Sequence, residues 1–319
     1  EIRNQRTRRC WPDTNSADTL GLITEPMQRT MFKRLFASRK NPYVPGLDNP
    51  ERVSVSIAGC KLNITLPPHY SSAGFDADVA PKDIPNIYER SIYDYGHEYE
   101  DNKFSYANCI RRGWEFFGPI WEFGYIGRTD FQVTSLRVDC LPEGMSCFNP
   151  AILEQVVMRY LYDGGPARPH HGKKLSPVNW RVESKQGNPW IFCEEHKDLP
   201  SNKPEEPEDA NFEAYAFTAL DDGYVLFLRF INFGDIPAEY SINAANRVRD
   251  RICGSIQWHL SSYAEQRKQE ALTNISNASI TPHREPEPWK YPPKWRDGDL
   301  EKGEPRIVVI EAGDPAPEF

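Results

Sequence analysis

The sequence lacks the motifs that most directly identify an enzyme or a membrane-spanning protein. None of its apolar runs reaches the roughly 18 residues that a transmembrane helix requires. It has no C-x-x-C pair, which argues against a zinc ribbon, and neither of the glycine-rich loops that bind phosphate groups. A G-x-S-x-G nucleophile elbow is also missing. No short motif names a reaction, so function has to be inferred from architecture and surface charge.

The charge of the chain narrows the classes of partner. The net charge is -8, which argues against nonspecific binding to nucleic acid because phosphate contacts require a basic surface. The balance is uneven: residues 1–40 contain nine Lys or Arg against four Asp or Glu, and the rest of the chain carries about -13 by difference. This basic segment is either solvated or contacts a membrane or a protein partner.

Seven cysteines occur at wide spacings, and one pair among them is a candidate disulfide. Cys140 and Cys147 flank the Pro/Gly turn LPEGMS, which can bring their Cα atoms within bridging distance. We expect a disulfide between them if the compartment is oxidising. The odd count leaves at least one thiol unpaired within a monomer.

Hydrophobic patterns in residues 51–165 predict a first α+β lobe. In RVSVSIAGCKLNITLPPHY, apolar residues alternate on both sides of Gly59, which marks a tight turn or a bulge between two strands. Residues 130–140, DFQVTSLRVDC, alternate again. A helix follows, with Asn149 as its N-cap, Pro150 at its first position and two glycines after AILEQVVMRYLY.

Two predicted hairpins and a helix form a second lobe, residues 166–280. VNWRVES and PWIFCEE are joined through residues 186–188, and FEAYAFTAL and YVLFLRFINF through residues 221–223. The following helix, capped by Ser241, has apolar positions at helical spacing and should lie across the sheet. Strand clusters followed by helices, without β-α-β alternation, indicate an α+β fold of mostly antiparallel sheets and disfavour a Rossmann-like fold or a barrel.

The two ends of the chain differ from the lobes. Residues 1–50 combine the basic segment with a short amphipathic helix, and its apolar stripe is expected to dock on the core. The members of this stripe are Met27, Met31, Phe32, Leu35 and Phe36. Residues 281–319 form an extended Pro-rich tail, in which Trp289 and Trp295 are candidate anchors and RIVVIEAG could add an edge strand.

One candidate for chemistry is Cys193, which precedes His196 by three positions in WIFCEEHKD. Tetrahedral zinc would need two further ligands, and His170 and His171 are the neighbours in sequence. However, Cys193 continues the apolar alternation of a strand, and His196 falls in the charged segment that follows. We therefore favour a buried thiol and an exposed imidazole, and predict no catalytic residue, no metal site and no cofactor.

Two loops of opposite charge are better candidates for function. The segment from Glu194 to Ala210, EEHKDLPSNKPEEPEDA, is a long, Pro-stiffened connection, and connections of this length are usually functional or disordered. The loop ARPHHGKK of the same lobe is basic. Charges of both signs beside aromatic residues are typical of a protein-binding face. The residues predicted to contact a partner are Glu194, Glu195, Asp198, Glu205, Glu206, Glu208, Asp209, Arg168, Lys173 and Lys174.

Two stretches resemble a known family. VSIAGCKLNITLPPHY looks like the opening strands of exported Gram-negative proteins that are encoded beside secreted toxins. Residues 215–252, from YAFTALDDG to VRDRI, are similar to the second lobe of immunity proteins that neutralise phospholipase effectors of type VI secretion. The resemblance implies a periplasmic, anchored or lipoprotein-like protein of two lobes, without catalysis, which occupies the active-site cleft of a toxin. This chain departs from that pattern because it shows no signal or lipobox, so export is inferred.

The leading hypothesis is a noncatalytic, exported binding protein that inhibits a secreted enzyme. A basic, polar start without an initiator Met is typical of a chain from which a signal or membrane anchor has been removed, so we expect a periplasmic location with an inner-membrane anchor as one form. A second hypothesis is a metal- or thiol-dependent hydrolase that uses Cys193 and His196. A third is a structural or accessory protein of the cell envelope.

Overall fold

The computed structural model confirms the α+β class and contains two antiparallel sheets. It describes residues 32–72, 81–93, 104–122, 124–163, 173–198, 211–234, 238–273 and 278–288. The strands in these ranges are β1 Glu51–Ile57, β2 Cys60–Leu66, β3 Phe104–Phe116, β4 Gly127–Val138, β5 Lys173–Lys185, β6 Asn188–Asp198, β7 Asn211–Asp221, β8 Tyr224–Gly234, β9 Gln257–His259 and the two-residue β10 Glu287–Pro288. The larger sheet has seven of them in the order β10-β5-β6-β7-β8-β4-β3, and the smaller has three in the order β1-β2-β9.

One strand pair of the large sheet joins segments that are far apart in sequence. β4 pairs with β8 along its whole length, with Leu136 opposite Val225 and Gly127 opposite Gly234. One sheet therefore runs through both segments that the sequence assigns to separate lobes.

Short turns join three pairs of neighbouring strands, as the sequence predicts. Ala58 and Gly59 connect β1 to β2, and both have positive φ, 49° and 79°, which suits a tight hairpin turn. Gln186 and Gly187 connect β5 to β6 with the same backbone signature. The β7–β8 hairpin closes between Asp221 and Tyr224.

Helices cover both faces of the large sheet. The helices whose full bounds lie in the described ranges are α1 Pro150–Asp163, α2 Ala238–Gly254 and α3 Ser262–Thr273, with a short 3-10 helix at Arg90–Ile92. The predicted N-cap of α1 is confirmed, because Asn149 Oδ1 accepts a hydrogen bond of 3.0 Å from the backbone N–H of Ala151. Tyr160 of α1 packs against one face of the sheet, with its ring centroid 4.9 Å from that of Phe227.

Helix α2 lies on the opposite face. Its Arg249 pairs with Glu194 of β6, whose cross-strand partner is Ala214. Directly paired residues project from the same face of a sheet, so Glu194 and Ala214 both face α2. Tyr215, the next residue of β7, projects from the opposite face and contacts Tyr160 of α1. The smaller sheet is fastened next to α2, since Ser255 Oγ accepts a hydrogen bond of 2.8 Å from the backbone N–H of Thr65.

The first part of the Pro-rich tail is fixed to the outer edge of the large sheet. β10 pairs with Leu175 and Ser176 of β5, and Trp180 Nε1 donates a hydrogen bond of 2.8 Å to the carbonyl of Thr281. Buried Glu154 of α1 accepts hydrogen bonds of 2.7 Å from Thr281 N and from Arg284 Nε. Trp289, Trp295 and RIVVIEAG lie outside the described residues.

Three local predictions are wrong. The stripe that was expected to dock on the core is exposed at Phe32, Leu35 and Phe36, because Arg34 between them makes the contacts with the rest of the protein. Its other members, Met27 and Met31, lie outside the described residues. Ser241 does not cap α2, which begins three residues earlier at Ala238 and carries Ser241 as a buried interior residue.

The predicted disulfide is the third error. Among the residues that the structure describes, no disulfide joins Cys140 to Cys147. Both side chains are buried, and burial raises the pKa of the Cys147 thiol well above its usual value of 9.0. The turn therefore contributes two small buried side chains to the core in place of a covalent bond.

Candidate functional site

The large sheet has two ends of different construction. At the hairpin end, short turns close β5–β6 and β7–β8, and α3 lies beside them through Arg267, paired with Asp222, and Lys268, whose Nζ lies 2.9 Å from Asn188 Oδ1. At the loop end, the connections are longer: residues 164–172 precede β5, residues 199–210 join β6 to β7, and residues 117–126 join β3 to β4. The residues at which the six long strands begin or end here are Lys173, Asp198, Asn211, Gly234, Gly127 and Phe116.

The predicted partner-binding residues that lie in described strands fall at the loop end. Lys173 pairs with Asp198, and Lys174 pairs with Lys197. The basic connection that precedes β5 and the acidic connection that follows β6 therefore leave from one strand pair, about 4.8 Å apart. Arg168, Glu205, Glu206, Glu208 and Asp209 lie outside the described residues.

Two predicted contact residues are wrongly assigned to a surface loop. β6 continues to Asp198, so Glu194 and Glu195 are strand residues, with 5% and 1% of their surface exposed. They are buried because each meets a partner from another element: Glu194 pairs with Arg249, and Glu195 lies 3.5 Å from the hydroxyl of Tyr215. The connection between β6 and β7 therefore starts after Asp198, which is four residues later than Glu194.

A patch of exposed apolar side chains lies beside the β3–β4 connection at the loop end. This aromatic patch consists of Phe32, Leu35, Phe36 and Trp121, which expose 69%, 50%, 88% and 70% of their surface. Arg34 joins its two halves, because its guanidinium donates hydrogen bonds to the carbonyls of Gly118, Pro119 and Glu122, on either side of Trp121. The patch is thereby held in place although its members are largely in water.

A polar cleft, the Glu194 cleft, lies where β5 is irregular. Its volume is about 580 Å³, and its lining includes Asn179, Arg181, Glu194, Arg249 and His283. The β5–β6 register shifts on both sides of Val178, and Asn179 has a φ of 53°. Such bulges bend a strand away from its partner, which opens the cleft.

In this cleft, both carboxylate oxygens of Glu194 contact basic side chains. Glu194 Oε2 lies 2.8 Å from His196 Nε2, and Oε1 accepts a hydrogen bond from Arg249. Burial opposes ionisation of Glu194, but the hydrogen bond with His196 and the charge of Arg249 outweigh it and lower the pKa below its usual 4.5. A carboxylate held in this way binds neighbouring side chains and is poorly suited to act as a general base.

A second buried polar cluster lies on the opposite face, under α1. Glu213 Oε2 accepts hydrogen bonds from Arg229 Nε at 2.5 Å and from the hydroxyl of Tyr215 at 3.0 Å. Burial raises the pKa of Tyr215 well above its usual 10.0, so its hydroxyl remains a donor. Pairing with the charge of Arg229 lets Glu213 remain buried in the core.

Cys193 and His196 do not form a joint site. Cys193 is paired with Tyr215 and His196 with Phe212, so the two side chains project from opposite faces of β6. Cys193 is buried at 2% exposure. Within the described ranges, no group of three or more His, Cys, Asp or Glu side chains is arranged to hold a metal ion. His170 and His171 lie outside those ranges.

Two parts of the site were missed from sequence. The pairing of Glu194 with Arg249 joins residues 55 positions apart and has no local signal. The aromatic patch had a local signal, because Lys33 and Arg34 lie between its apolar positions, Arg39 and Lys40 follow them, and so many charges make a buried helix face less favourable.

Comparisons with known proteins do not assign the chain to a protein family. Comparison of the chain with models of protein families and with curated proteins finds no match in either. None of the helices in the described part of the chain is both long and apolar enough to span a bilayer.

Proposed function

We propose that this protein is a noncatalytic, exported binding protein that inhibits a secreted enzyme by covering its active site. The observation that carries the proposal is the pairing of Lys173 with Asp198, from which two connections of opposite charge leave the sheet side by side. The sequence contributes the charges: ARPHHGKK precedes or enters β5, and KPEEPED lies between β6 and β7.

This arrangement suits recognition of a protein better than catalysis. Connections carried by a firm sheet are where binding residues concentrate, since they vary without disturbing the core. Opposite charges on adjacent connections favour a partner with a complementary pattern and speed the correct encounter. The resemblance of residues 215–252 to immunity proteins supplies the class of partner, a secreted phospholipase-type toxin, and the resemblance of residues 55–70 to exported Gram-negative proteins encoded beside toxins supplies an exported location.

The test is inhibition of a co-purified enzyme. We expect the full chain to form a one-to-one complex with a secreted hydrolase and to abolish its turnover at equimolar concentration. Replacing Glu205, Glu206, Glu208 and Asp209 with Ser should weaken binding at least about tenfold, chiefly through slower association. The matched control is replacement of Glu265 and Glu270 with Ser, at the hairpin end, which should leave affinity unchanged.

Two outcomes would contradict this function. One is a partner that keeps full activity when saturated with the protein. The other is turnover by the isolated chain that disappears in the Cys193→Ala and His196→Ala variants, which would favour the hydrolase hypothesis.

A further inference from the structure

We propose that the aromatic patch and the basic residues around it bind the surface of an anionic phospholipid bilayer. Seven large apolar side chains are exposed in the described part of the chain, and four of them belong to this patch. Aromatic and aliphatic side chains of this kind insert at the boundary between headgroups and acyl chains. The concentration of exposed apolar surface at one place therefore calls for a partner that removes it from water.

Hydrogen bonds of Arg34 join the two parts of the patch. Arg34 makes three hydrogen bonds to backbone carbonyls of the β3–β4 connection, with its Nη2 3.1 Å from Pro119 O and 2.6 Å from Glu122 O. Its guanidinium also lies over the ring of Phe117, 5.1 Å from the centroid. Arg34 thus ties the segment that carries Phe32, Leu35 and Phe36 to the connection that carries Trp121, which lowers the entropic cost of binding.

Charge complementarity decides between a bilayer and a protein as the occupant. Lys33, Arg39 and Lys40 lie in the same segment as Phe32, Leu35 and Phe36; Lys33 pairs with Asp48 and Arg39 with Glu122, whereas the side chain of Lys40 is exposed. Residues 1–40 carry nine basic against four acidic side chains. The rest of the chain carries about -13 by difference, so an anionic surface attracts this segment and repels the body. A segment of net positive charge that carries exposed aromatic side chains fits an extended anionic surface better than the bounded face of one protein.

The location of the patch leaves the other binding region accessible. It lies beside β3 and β4, whereas the charged connections leave from β5, β6 and β7. Four strand spacings separate β6 from β3, which amounts to about 20 Å. Membrane contact and partner binding therefore use separate parts of the loop end, and neither proposal depends on the other.

Vesicle flotation of the full chain tests the proposal. With vesicles of phosphatidylglycerol and phosphatidylcholine we expect the protein to float at low ionic strength and to be released by salt, because exposed charges are screened. Vesicles of pure phosphatidylcholine should bind at least about tenfold less protein than the anionic vesicles. Absence of binding to the phosphatidylglycerol vesicles at low ionic strength would overturn the proposal.

Variants separate insertion from attraction. Phe32→Ser combined with Phe36→Ser should lower the partition coefficient at least about tenfold, since two aromatic side chains no longer leave water. Lys40→Gln should lower it about fivefold on anionic vesicles alone. Tyr263→Ser, which alters a side chain 58% exposed at the hairpin end, is the control and should change nothing. Equal losses for the control and the double variant would overturn the assignment.

Tryptophan fluorescence gives a second readout that does not depend on affinity. Brominated lipids should quench the emission of Trp121, and the Trp121→Phe variant should lose this quenching while it still floats. If the double variant loses a soluble protein partner yet floats like the parent chain, the patch is a protein-docking site and the proposal is wrong.

Discussion

The hairpin end and the loop end of the large sheet differ in the length of the connections between their strands. At the hairpin end, Gln186-Gly187 and Asp222-Gly223 reverse the chain with few residues, and α3 closes over them. At the loop end, the same strands are spaced by longer connections, and apolar side chains remain in water. Short turns lose little conformational entropy on folding, whereas long connections can carry recognition. We infer that stability depends chiefly on the hairpin end and that binding depends chiefly on the loop end.

The largest expected difference is between two apolar truncations. Leu220→Ala removes a fully buried side chain near the β7–β8 turn and should lower the free energy of unfolding by about 2–5 kcal/mol. Phe36→Ala, at the loop end, should change it by less than about 0.5 kcal/mol because the ring is already exposed. Urea denaturation measures both. A loss above about 1 kcal/mol for Phe36→Ala would show that the patch is covered in solution.

Buried charge near the loop end should contribute a pH-dependent stability. Glu194→Gln removes the charge that faces Arg249 and should lower the free energy of unfolding by about 1–3 kcal/mol at pH 7. The folded pKa of Glu194 lies below its usual 4.5, so the stabilisation is present above that value and is lost as pH falls through the folded pKa. The parent and the variant should therefore converge in acid.

A matched control lines the same cleft. Glu285→Gln alters a carboxylate whose side chain is 82% exposed, next to His283, and should have little effect at any pH. A constant difference between the parent chain and Glu194→Gln from pH 7 to pH 3 would contradict the ion-pair account.

A smaller effect is expected from the turns of the hairpin end. Gly187 has a φ of 75° and open space around it, so Gly187→Ala should cost about 1 kcal/mol through backbone strain alone. Gly223 is equally unhindered but does not have a left-handed φ, and Gly223→Ala should be close to neutral. Thermal unfolding of the two variants compares them directly. Equal destabilisation would mean that strain does not explain the first.

The smallest effect should come from reducing agent. Cys140 and Cys147 are not joined, so dithiothreitol should leave the Tm unchanged. Burial raises the pKa of Cys109 and of Cys253 to about 12, and a Cys10→Ser variant should therefore react slowly with thiol reagents until it unfolds. A fall in Tm of several degrees on reduction would instead support the predicted disulfide between Cys140 and Cys147.

Sequence patterns predicted the hairpins because their signals are local. Alternating residues around Gly59 and around Gln186-Gly187 identify both strands and turn within a few positions, and the structure has them there. The Asn149 cap and Pro150 likewise define the start of α1 without reference to the rest of the chain.

The errors arise where distant residues decide burial. Glu194 and Glu195 were predicted to open a charged connection, but contacts with residues distant in sequence, Arg249 and Tyr215, help to accommodate them in the core. The opposite error affected Phe32 and Phe36: apolar residues at helical spacing usually dock, but these found no apolar face to cover them. Hydrophobic periodicity indicates which side chains of a segment can be buried together, and the rest of the fold determines whether they are buried.

The contacts of Glu154 have a consequence for how the protein is made. The residues that satisfy this buried carboxylate, Thr281 and Arg284, lie 127 and 130 positions later in the chain. While the ribosome synthesises the protein, α1 can pack on the sheet long before those residues emerge, leaving a charge without its partners in an apolar site. The nascent chain is therefore expected to complete its fold only when residues 281–288 are released, and a chain truncated at residue 280 should be held by chaperones.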